Sequence, residues 1–381
     1  MLVIRLLFCY FAPAILTMII DIIAGARPNF MKIAPIISAI ETTHQKGTNI
    51  KYRLVHTGQH YDKKMSGDFF EQLGIPEPDV NLGAGGGSQA EQTAAIMVGY
   101  ERQLAANPSD LVLVVGDVTS TMACSIVAKK LNTRVAHVEA GIRSFDLAMP
   151  EEINRMVTDS ITDYFFTTSG IANENLRHAG IPDERIFFVG NTMIDTLLKQ
   201  MAAFEQPDFW DDLGLTKKNY IVVTLHRPSN VDSQEQIKAL LDVLERFGEN
   251  MPVIFPVHPR TRNNFEKFGV TLKNVKAVDP MGYLQFNYLV QHSKGVITDS
   301  GGITEETTVM GIPCLTLRDS TERPETCTIG TNVLVGTEAG ALEEALKDLI
   351  ANKWKKGGIP PLWNGNAAKR IVQHLVELYN L

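Results

Sequence analysis

Apolar and polar positions alternate between two rhythms along this chain. Short runs rich in isoleucine, leucine and valine are separated by longer stretches in which apolar residues recur at helical spacing. Strands are expected at 19–24, 52–57, 111–115, 134–138, 164–167 and 186–189. Helical patterns lie between them, at 32–43, 89–106, 119–131 and 152–161. A second series begins with strands at 220–225, 253–257, 275–277, 295–298, 313–316 and 332–335, and 366–381 reads as an amphipathic helix. Strands alternating with helices point to an α/β chain with parallel, doubly wound sheets.

Two such series need a joint. A helix at 194–204 is followed by 205–219, a connector carrying Pro207 and Gly214. The expected organisation is therefore a first domain at 18–204, a linker at 205–219, a second domain at 220–365 and a final helix at 366–381. A length of 381 residues suits two domains. Two doubly wound domains of similar size place a ligand in the crevice between them, where strand C-termini and helix N-termini converge.

The first residues, MLVIRLLFCYFAPAIL, are apolar with one early arginine, like the n- and h-regions of a signal peptide. Directly after them, residues 18–25 read as a buried strand entering a glycine turn, and Asp21 argues against a membrane span. Residues 1–17 are expected to be an extension ahead of a functional start at Met18, with a signal or anchor as the alternative.

Composition changes this picture little. A net charge of −7 argues against nucleic acid or an anionic membrane as partner. It does not argue against a nucleotide, because arginines and helix N-termini set the potential at a site. Cys9, Cys124, Cys314 and Cys327 form no CxxC pair and no Cys/His cluster, so neither a metal site nor a disulfide framework is expected. Incidental thiols in a reducing compartment are the plain reading.

Candidate chemistry sits at strand ends. Gly25-Ala26-Arg27-Pro28 closes the first strand, and Arg27 and Lys32 fall near a helix N-terminus. The helix dipole gives cations no help there, so they suggest an anionic ligand, against an exposed basic turn as the bland reading. Thr298-Asp299-Ser300-Gly301-Gly302 follows another strand. Ser300 can cap the next helix, and Gly301 and Gly302 let a phosphate approach free backbone N–H groups. Glu306 is placed to accept ribose hydroxyls, unless Glu305 and Glu306 merely complement the dipole. Arg323, after a further strand, suits a pyrophosphate. His226 ends the first strand of the second series and faces the crevice. Asp117, Glu139 and Glu151 supply carboxylates from the first domain. Burying them calls for use or for pairing, with Arg143 and Arg155 as available partners.

The ordered blocks GARPNFMKIAPI, HTGQHYD, GDVTST, HVEAGIRS, MPEEINR, GNTMIDTL, TLHRPSN, TDSGGITEE and RDSTERPE strongly resemble the non-hydrolysing UDP-N-acetylglucosamine 2-epimerases. The resemblance runs from about Met18 to the Gly336 region. It implies a GT-B-like fold, two Rossmann-like domains facing a central cleft with the last helix crossing back to the first. It also implies a cytoplasmic homodimer without metal or redox cofactor, acting on a UDP-N-acetylhexosamine to supply surface-polysaccharide precursors. By matching positions, Arg27, Lys32, His226, Ser300, Gly301, Glu306 and Arg323 would hold the nucleotide. Asp117, Glu139 and Glu151 would act as acid and base on the sugar.

This chain departs from the family pattern in places. Ala26 and Asn29 stand where a threonine and a carboxylate are frequent, and Val115-Gly116-Asp117-Val118 stands where HGDT is frequent. Substrate-activated members resemble one another in an arginine and a second glutamine. Here Ser88 and Asp62 align there, beside retained Gln59 and His60, so activation by substrate is not implied. The GARP, GQHYD and Gly85–Gly87 wording is similar to relatives acting on diacetamido-uronic acid nucleotides. A hydrolysing epimerase, a glycosyltransferase and a non-catalytic nucleotide-sugar sensor are the rival functions. A sensor has no need for Asp117, Glu139 and Glu151 together.

Overall fold

Met18–Ala24 is buried at nearly every position, as a central parallel strand requires when helices cover both faces of its sheet. In a computed structural model, which describes residues 17–58 and 73–381 (Arg27 by its backbone alone), this strand is the centre of the first domain. The strands of this half are β1 Met18–Ala24, β2 Ile50–His56, β3 Val80–Asn81, β4 Leu111–Val115, β5 Arg134–Val138, β6 Tyr164–Thr167 and β7 Ile186–Phe188. They form a seven-stranded sheet in the order β3-β2-β1-β4-β5-β6-β7, and every pairing is parallel. The helices of this half are α1 Arg27–Gln45, α2 Gln89–Ala106, α3 Thr119–Lys130, α4 Pro150–Ile161, α5 Gly170–His178 and α6 Thr192–Gln200.

The second half repeats the plan. Strands β8 Ile221–Thr224, β9 Val253–Pro256, β10 Val275–Val278, β11 Gly295–Thr298, β12 Cys314–Thr316 and β13 Asn332–Leu334 form a six-stranded sheet, in the order β10-β9-β8-β11-β12-β13. It too is parallel throughout. Its helices are α7 Pro228–Val231, α8 Gln234–Gly248, α9 Pro259–Phe268, α10 Tyr283–His292, α11 Gly301–Met310, α12 Pro324–Thr328 and α13 Ala339–Ile350, and α14 Ala367–Tyr379 closes the chain. Each sheet changes winding direction once, between β1 and β4 and between β8 and β11. The two Rossmann-like domains present these switch points to a common cleft, the GT-B arrangement.

Period-two alternation explains the layering. Ile20, Ile22, Leu111, Leu113 and Val115 point to one face and pack with Ile33, Ile36 and Ile37 of α1 and with Ile371 and Leu375 of α14. Ile23, Val55, Val112 and Val114 point to the other face, onto Ile96 and Tyr100 of α2 and Val127 of α3. Asp21 interrupts this apolar run yet is fully buried. Its Oδ1 lies 2.6 Å from Arg53 Nη2, and the Tyr100 hydroxyl donates to Oδ2 at 2.9 Å.

One segment differs from the sequence expectation. The first helix begins at Arg27 rather than at 32, because Pro28 suits a helix start. The connector packs on the second sheet's domain. Trp210 is buried edge-to-face on Tyr220, with ring centroids 5.4 Å apart, and Leu215 packs beside it, so 205–219 adheres to the second domain. The return to the first domain is under way before α14. Trp363 is buried against Ile194 and Leu197, and its indole N–H donates to the Thr168 carbonyl at 3.0 Å. Asp195 then accepts from the Ala367 and Ala368 N–H groups at 3.0 and 2.7 Å, capping α14 from α6. Among the described residues no helix is long and apolar enough to cross a membrane. Residues 1–16, on which the reading of an extension, signal or anchor falls, lie outside the described residues.

Candidate active site

The cleft between the domains is a cavity of about 590 Å³. The first domain lines it with Lys32 of α1, Asp117 after β4, and Glu151 and Arg155 of α4. The second lines it with His226 and Arg227 after β8, Gly301, Gly302 and Glu305 of α11, and Glu322 and Arg323 after β12. Sequence-distant residues meet here because parallel winding delivers every strand C-terminus to one edge of its sheet.

The first-domain turns are tightly made. Gly116 leaves β4 at φ +64, a left-handed conformation that favours glycine. Asp117 follows, its Oδ2 receiving the Arg155 guanidinium through Nη2 and Nε. Its backbone carbonyl accepts from Asn154 Nδ2 at 2.8 Å. Glu139 leaves β5 at φ +70, an unfavourable conformation for a residue with a side chain and one that concentrates at functional sites. Lys32 Nζ donates to Glu139 Oε2 at 2.7 Å, and Arg323 Nη2 donates to the same oxygen at 2.8 Å. Burial opposes ionisation of Glu139, but these two cations overcome it and hold the carboxyl well below the usual range. Asn29, in place of the frequent carboxylate, accepts from the Gly25 and Ala26 N–H groups and donates to the Val115 carbonyl. A carboxylate cannot make that last bond.

Across the cleft, the His226 ring is 45% exposed, with Nδ1 2.7 Å from Oδ1 of fully buried Asp299. Asp299 also accepts from the backbone N–H groups of His226 and Arg227 and from Asn230 Nδ2. This fixes the histidine's tautomer and leaves Nε2 for a ligand. Ser300 occupies the N-cap of α11, but its hydroxyl makes no capping bond. The expected side-chain cap is absent, so the Ser300 hydroxyl does not compete for the helix's first N–H groups.

Arg323 is the hub of a buried charge cluster. Its Nε pairs with Glu305 Oε1, which also accepts from Asn191 Nδ2 at 3.0 Å, so the cluster bridges both domains. Burial pushes Glu305 upward in pKa, and Arg323, shared with Glu139, offsets this only in part. Glu322 sits among Arg318 at 2.7 Å, Arg227 at 3.6 Å and Arg155 at 3.7 Å. Burial works against its charge, yet Arg318 and Arg155 draw the carboxyl down to about 2.

The cleft thus brings together Lys32, Asp117, Glu151, His226, Gly301, Gly302 and Arg323, while Glu139 is buried immediately behind Lys32 and Arg323. Glu306 lies outside the cavity lining, with the Tyr283 hydroxyl donating to its Oε1 at 2.8 Å. Arg27 opens α1, directly before Pro28 of the cavity wall. Arg143, considered as a partner for the catalytic carboxylates, instead pairs with Asp159 at 2.6 Å, because the Glu139 side chain turns toward α1 and the second domain. Ser88 caps α2, accepting from the Glu91 N–H and donating its own N–H to Glu91. Gln59, His60 and Asp62 lie outside the described residues. Sequence reasoning assigned no site role to Asp299, Glu305 or Glu322. The available signal was position, since each follows a strand end or the first helical turn after it. Among the described residues no group of three or more histidine, cysteine or acidic side chains is arranged to hold a metal ion.

Comparison with known proteins agrees with this architecture. Residues 42–376 match the model of the UDP-N-acetylglucosamine 2-epimerase family. The UDP-N-acetylglucosamine 2-epimerase of Methanocaldococcus jannaschii is 40% identical over 369 residues, covering 93% of this chain and 98% of that protein. A UDP-2,3-diacetamido-2,3-dideoxy-D-glucuronate 2-epimerase of Pseudomonas aeruginosa is 38% identical over 360 residues, covering 93% of this chain and 99% of its own length. The crystal structure of the Methanocaldococcus enzyme in complex with UDP-GlcNAc and UDP superposes with a TM-score of 0.83 at 39% identity, covering 94% of this chain and 100% of that one. The chain therefore belongs to the UDP-N-acetylglucosamine 2-epimerase family, and its cleft is that of an isomerase.

Proposed function

We propose that the protein interconverts UDP-N-acetylglucosamine and UDP-N-acetylmannosamine by eliminating UDP and adding it back. The observation that carries this reading is the shared cavity, which sets Asp117 and Glu151 of one domain against the Gly301-Gly302 helix start and Arg323 of the other. The C2 proton of the sugar has no adjacent carbonyl, so direct deprotonation is prohibitive. Elimination avoids that barrier. A base takes the C2 proton, the C–H electron pair becomes the C1–C2 double bond, and the C1–O pair leaves with UDP. UDP then adds back to C1 of the 2-acetamidoglucal while a proton reaches C2 from the opposite face. Acid and base groups are needed on both faces, and the departing diphosphate needs cations and free N–H groups.

In this reading Asp117 is the principal proton carrier, with Glu139 and Glu151 as the other acid/base groups. Arg27, Lys32, His226, Arg323 and the α11 N-terminus after Ser300 receive the diphosphate. Glu306 takes the ribose hydroxyls, sharing its acceptor capacity with Tyr283. The chemistry is redox-neutral, and UDP returns to the carbon it left, so no cofactor is consumed. We further propose a homodimer working in the cytoplasm to supply mannosamine-type precursors for surface polysaccharides. Free thiols at Cys124, Cys314 and Cys327 fit that compartment.

A second reading has its own support. The Pseudomonas relative and the GARP, GQHYD and Gly85–Gly87 wording favour a UDP-2,3-diacetamido-uronic acid as substrate. One experiment separates the possibilities: incubation with each nucleotide sugar in D₂O, followed by NMR. Deuterium entering C2 as the 2-epimer forms, with UDP still attached, is the expected result for the true substrate. Free N-acetylmannosamine with stoichiometric UDP would mean a hydrolysing enzyme. Exchange with the uronic acid nucleotide alone would transfer the assignment to it.

A further inference from the structure

Fully buried His137 on β5 is not among the residues that line the cleft, yet both of its ring nitrogens are engaged. Nδ1 lies 2.7 Å from Asp159 Oδ1, and Nε2 lies 2.8 Å from the carbonyl oxygen of Gly116. That carbonyl belongs to the turn that presents Asp117. The other Asp159 oxygen accepts from the Gly141 N–H at 3.1 Å and from Arg143 Nη1 at 2.6 Å. Gly141 closes the turn that presents Glu139. One buried pair of side chains therefore ties together the two turns that carry the first-domain carboxylates.

We infer that His137 is a positioning residue, held between Asp159 and the Gly116 carbonyl, and that it sets where Asp117 stands relative to Glu139. A carbonyl oxygen accepts and cannot donate, so Nε2 must carry a proton. Asp159 already accepts on its other oxygen from an amide and a guanidinium. Although burial works against its charge, His137 and Arg143 hold Asp159 ionised, and it anchors the ring on the side away from Gly116. The charged groups facing the ring are thus Asp159 of α4 and, beyond it, Arg143 of the loop between β5 and α4. Lys32 lies on the other side of Gly116. Fixing that turn matters because a misplacement of about 1 Å at a reacting group can cost on the order of a hundredfold in rate.

The catalytic part of this inference rests on the proposed epimerase reading, and the test keeps the two apart. In the full chain labelled with ¹⁵N-histidine, the ring of His137, assigned by its loss in His137→Gln, is expected to show a proton on Nε2, bonded to the Gly116 carbonyl. A bare Nε2 would overturn the inference. Crystals of His137→Gln and His137→Phe provide a second readout that needs no substrate. The Gly116–Asp117 turn should shift in the phenylalanine variant and be largely restored in the glutamine variant, which can still donate to Gly116. An unmoved turn in His137→Phe would overturn the positioning role. With a turned-over substrate, kcat should fall at least tenfold in His137→Phe while KM stays within about twofold, with partial recovery in His137→Gln. Loss confined to KM would also overturn it. Wild-type protein inactive on UDP-N-acetylglucosamine would defeat the substrate reading, leaving the ring proton and the turn to decide this one.

Discussion

Arg323 reaches across the interdomain cleft and rests on Glu139, its Nη2 2.8 Å from Oε2, the same oxygen that Lys32 holds at 2.7 Å. Two cations assigned to the diphosphate, one from each domain, are therefore already engaged by a single carboxylate. An arriving nucleotide must share or displace that carboxylate. The contact also joins the two domains across the cavity they line, through residues 184 positions apart.

Removing the negative charge of Glu139 should separate binding from turnover. In Glu139→Gln the side chain keeps its size, but Lys32 and Arg323 lose their anionic partner and become more available to phosphate oxygens. UDP is expected to bind roughly five- to tenfold more tightly, an effect of about 1 kcal/mol that should shrink with added salt. Epimerisation should fall by at least about a hundredfold, as expected on losing an acid/base group. Titration calorimetry with UDP beside the D₂O exchange assay measures both. Weaker UDP binding in the variant would refute the competition between Glu139 and diphosphate.

Glu306 gives a signed pH prediction. Burial pushes its carboxyl up to about 7 from an ordinary 4.5, with the Tyr283 hydroxyl bond only partly offsetting. Between those values the folded chain holds a proton that the unfolded chain has released, so this group makes stability fall as pH rises through that window. The loss is complete above about pH 7 and amounts to roughly 3 kcal/mol at most. Glu306→Gln cannot titrate. Without nucleotide, its stability relative to wild type should improve by about 2–3 kcal/mol between pH 4.5 and pH 8 in urea unfolding. Glu305 is also raised but is present in both proteins and cancels. Parallel stability curves would show that Glu306 does not hold the proton.

A buried ion pair in the first sheet makes a different demand. Arg53 is the cationic partner of fully buried Asp21. Removing one member leaves the other uncompensated, at a cost of about 3–5 kcal/mol. Arg53→Met should therefore destabilise the protein strongly, and the double change Asp21→Asn with Arg53→Met should recover much of the loss. Chemical denaturation of the single and double variants tests this; equal losses in both would mean that packing, not charge, dominates.

Much of the architecture was legible because parallel β/α chains write it in plain periodicity. The run at β4 is apolar at all five positions, the mark of a strand covered on both faces, and it lies where the pattern put it. Strand ends then located Asp117, Glu139, His226 and Ser300 without any knowledge of tertiary structure. Partner choice was not legible. Arg143 and Arg155 were equally plausible partners for Asp117 and Glu139, and only the three-dimensional path of the chain gives Arg155 to Asp117 and Arg143 to Asp159. Glu305 and Glu306 are adjacent and chemically identical, yet a helical step of about 100° sends one toward Arg323 and the other toward Tyr283. Where the connector at 205–219 packs was not legible, because Trp210 meets Tyr220 and Tyr288 only after folding.

The loop before α4 supports the proposed homodimer and links it to the site. Phe145 is 78% exposed at φ +60, and Leu147 is 65% exposed beside it. With Met156 they line a surface hollow of about 540 Å³. A phenylalanine held outward in a left-handed conformation is strained, and contiguous exposed apolar side chains mark a contact surface. In a two-fold dimer each substitution acts twice. Phe145→Asp with Leu147→Asp is expected to weaken self-association by at least a hundredfold, about 3 kcal/mol, in sedimentation equilibrium. Glu152 accepts from the Ser144 and Phe145 N–H groups and pairs with Arg155, which in turn holds Asp117. Loosening the loop should therefore reach Asp117, the proposed proton carrier, lowering kcat in the monomer more than UDP affinity. A variant that remains dimeric would place the contact elsewhere, and a fully active monomer would break the link through Glu152 and Arg155.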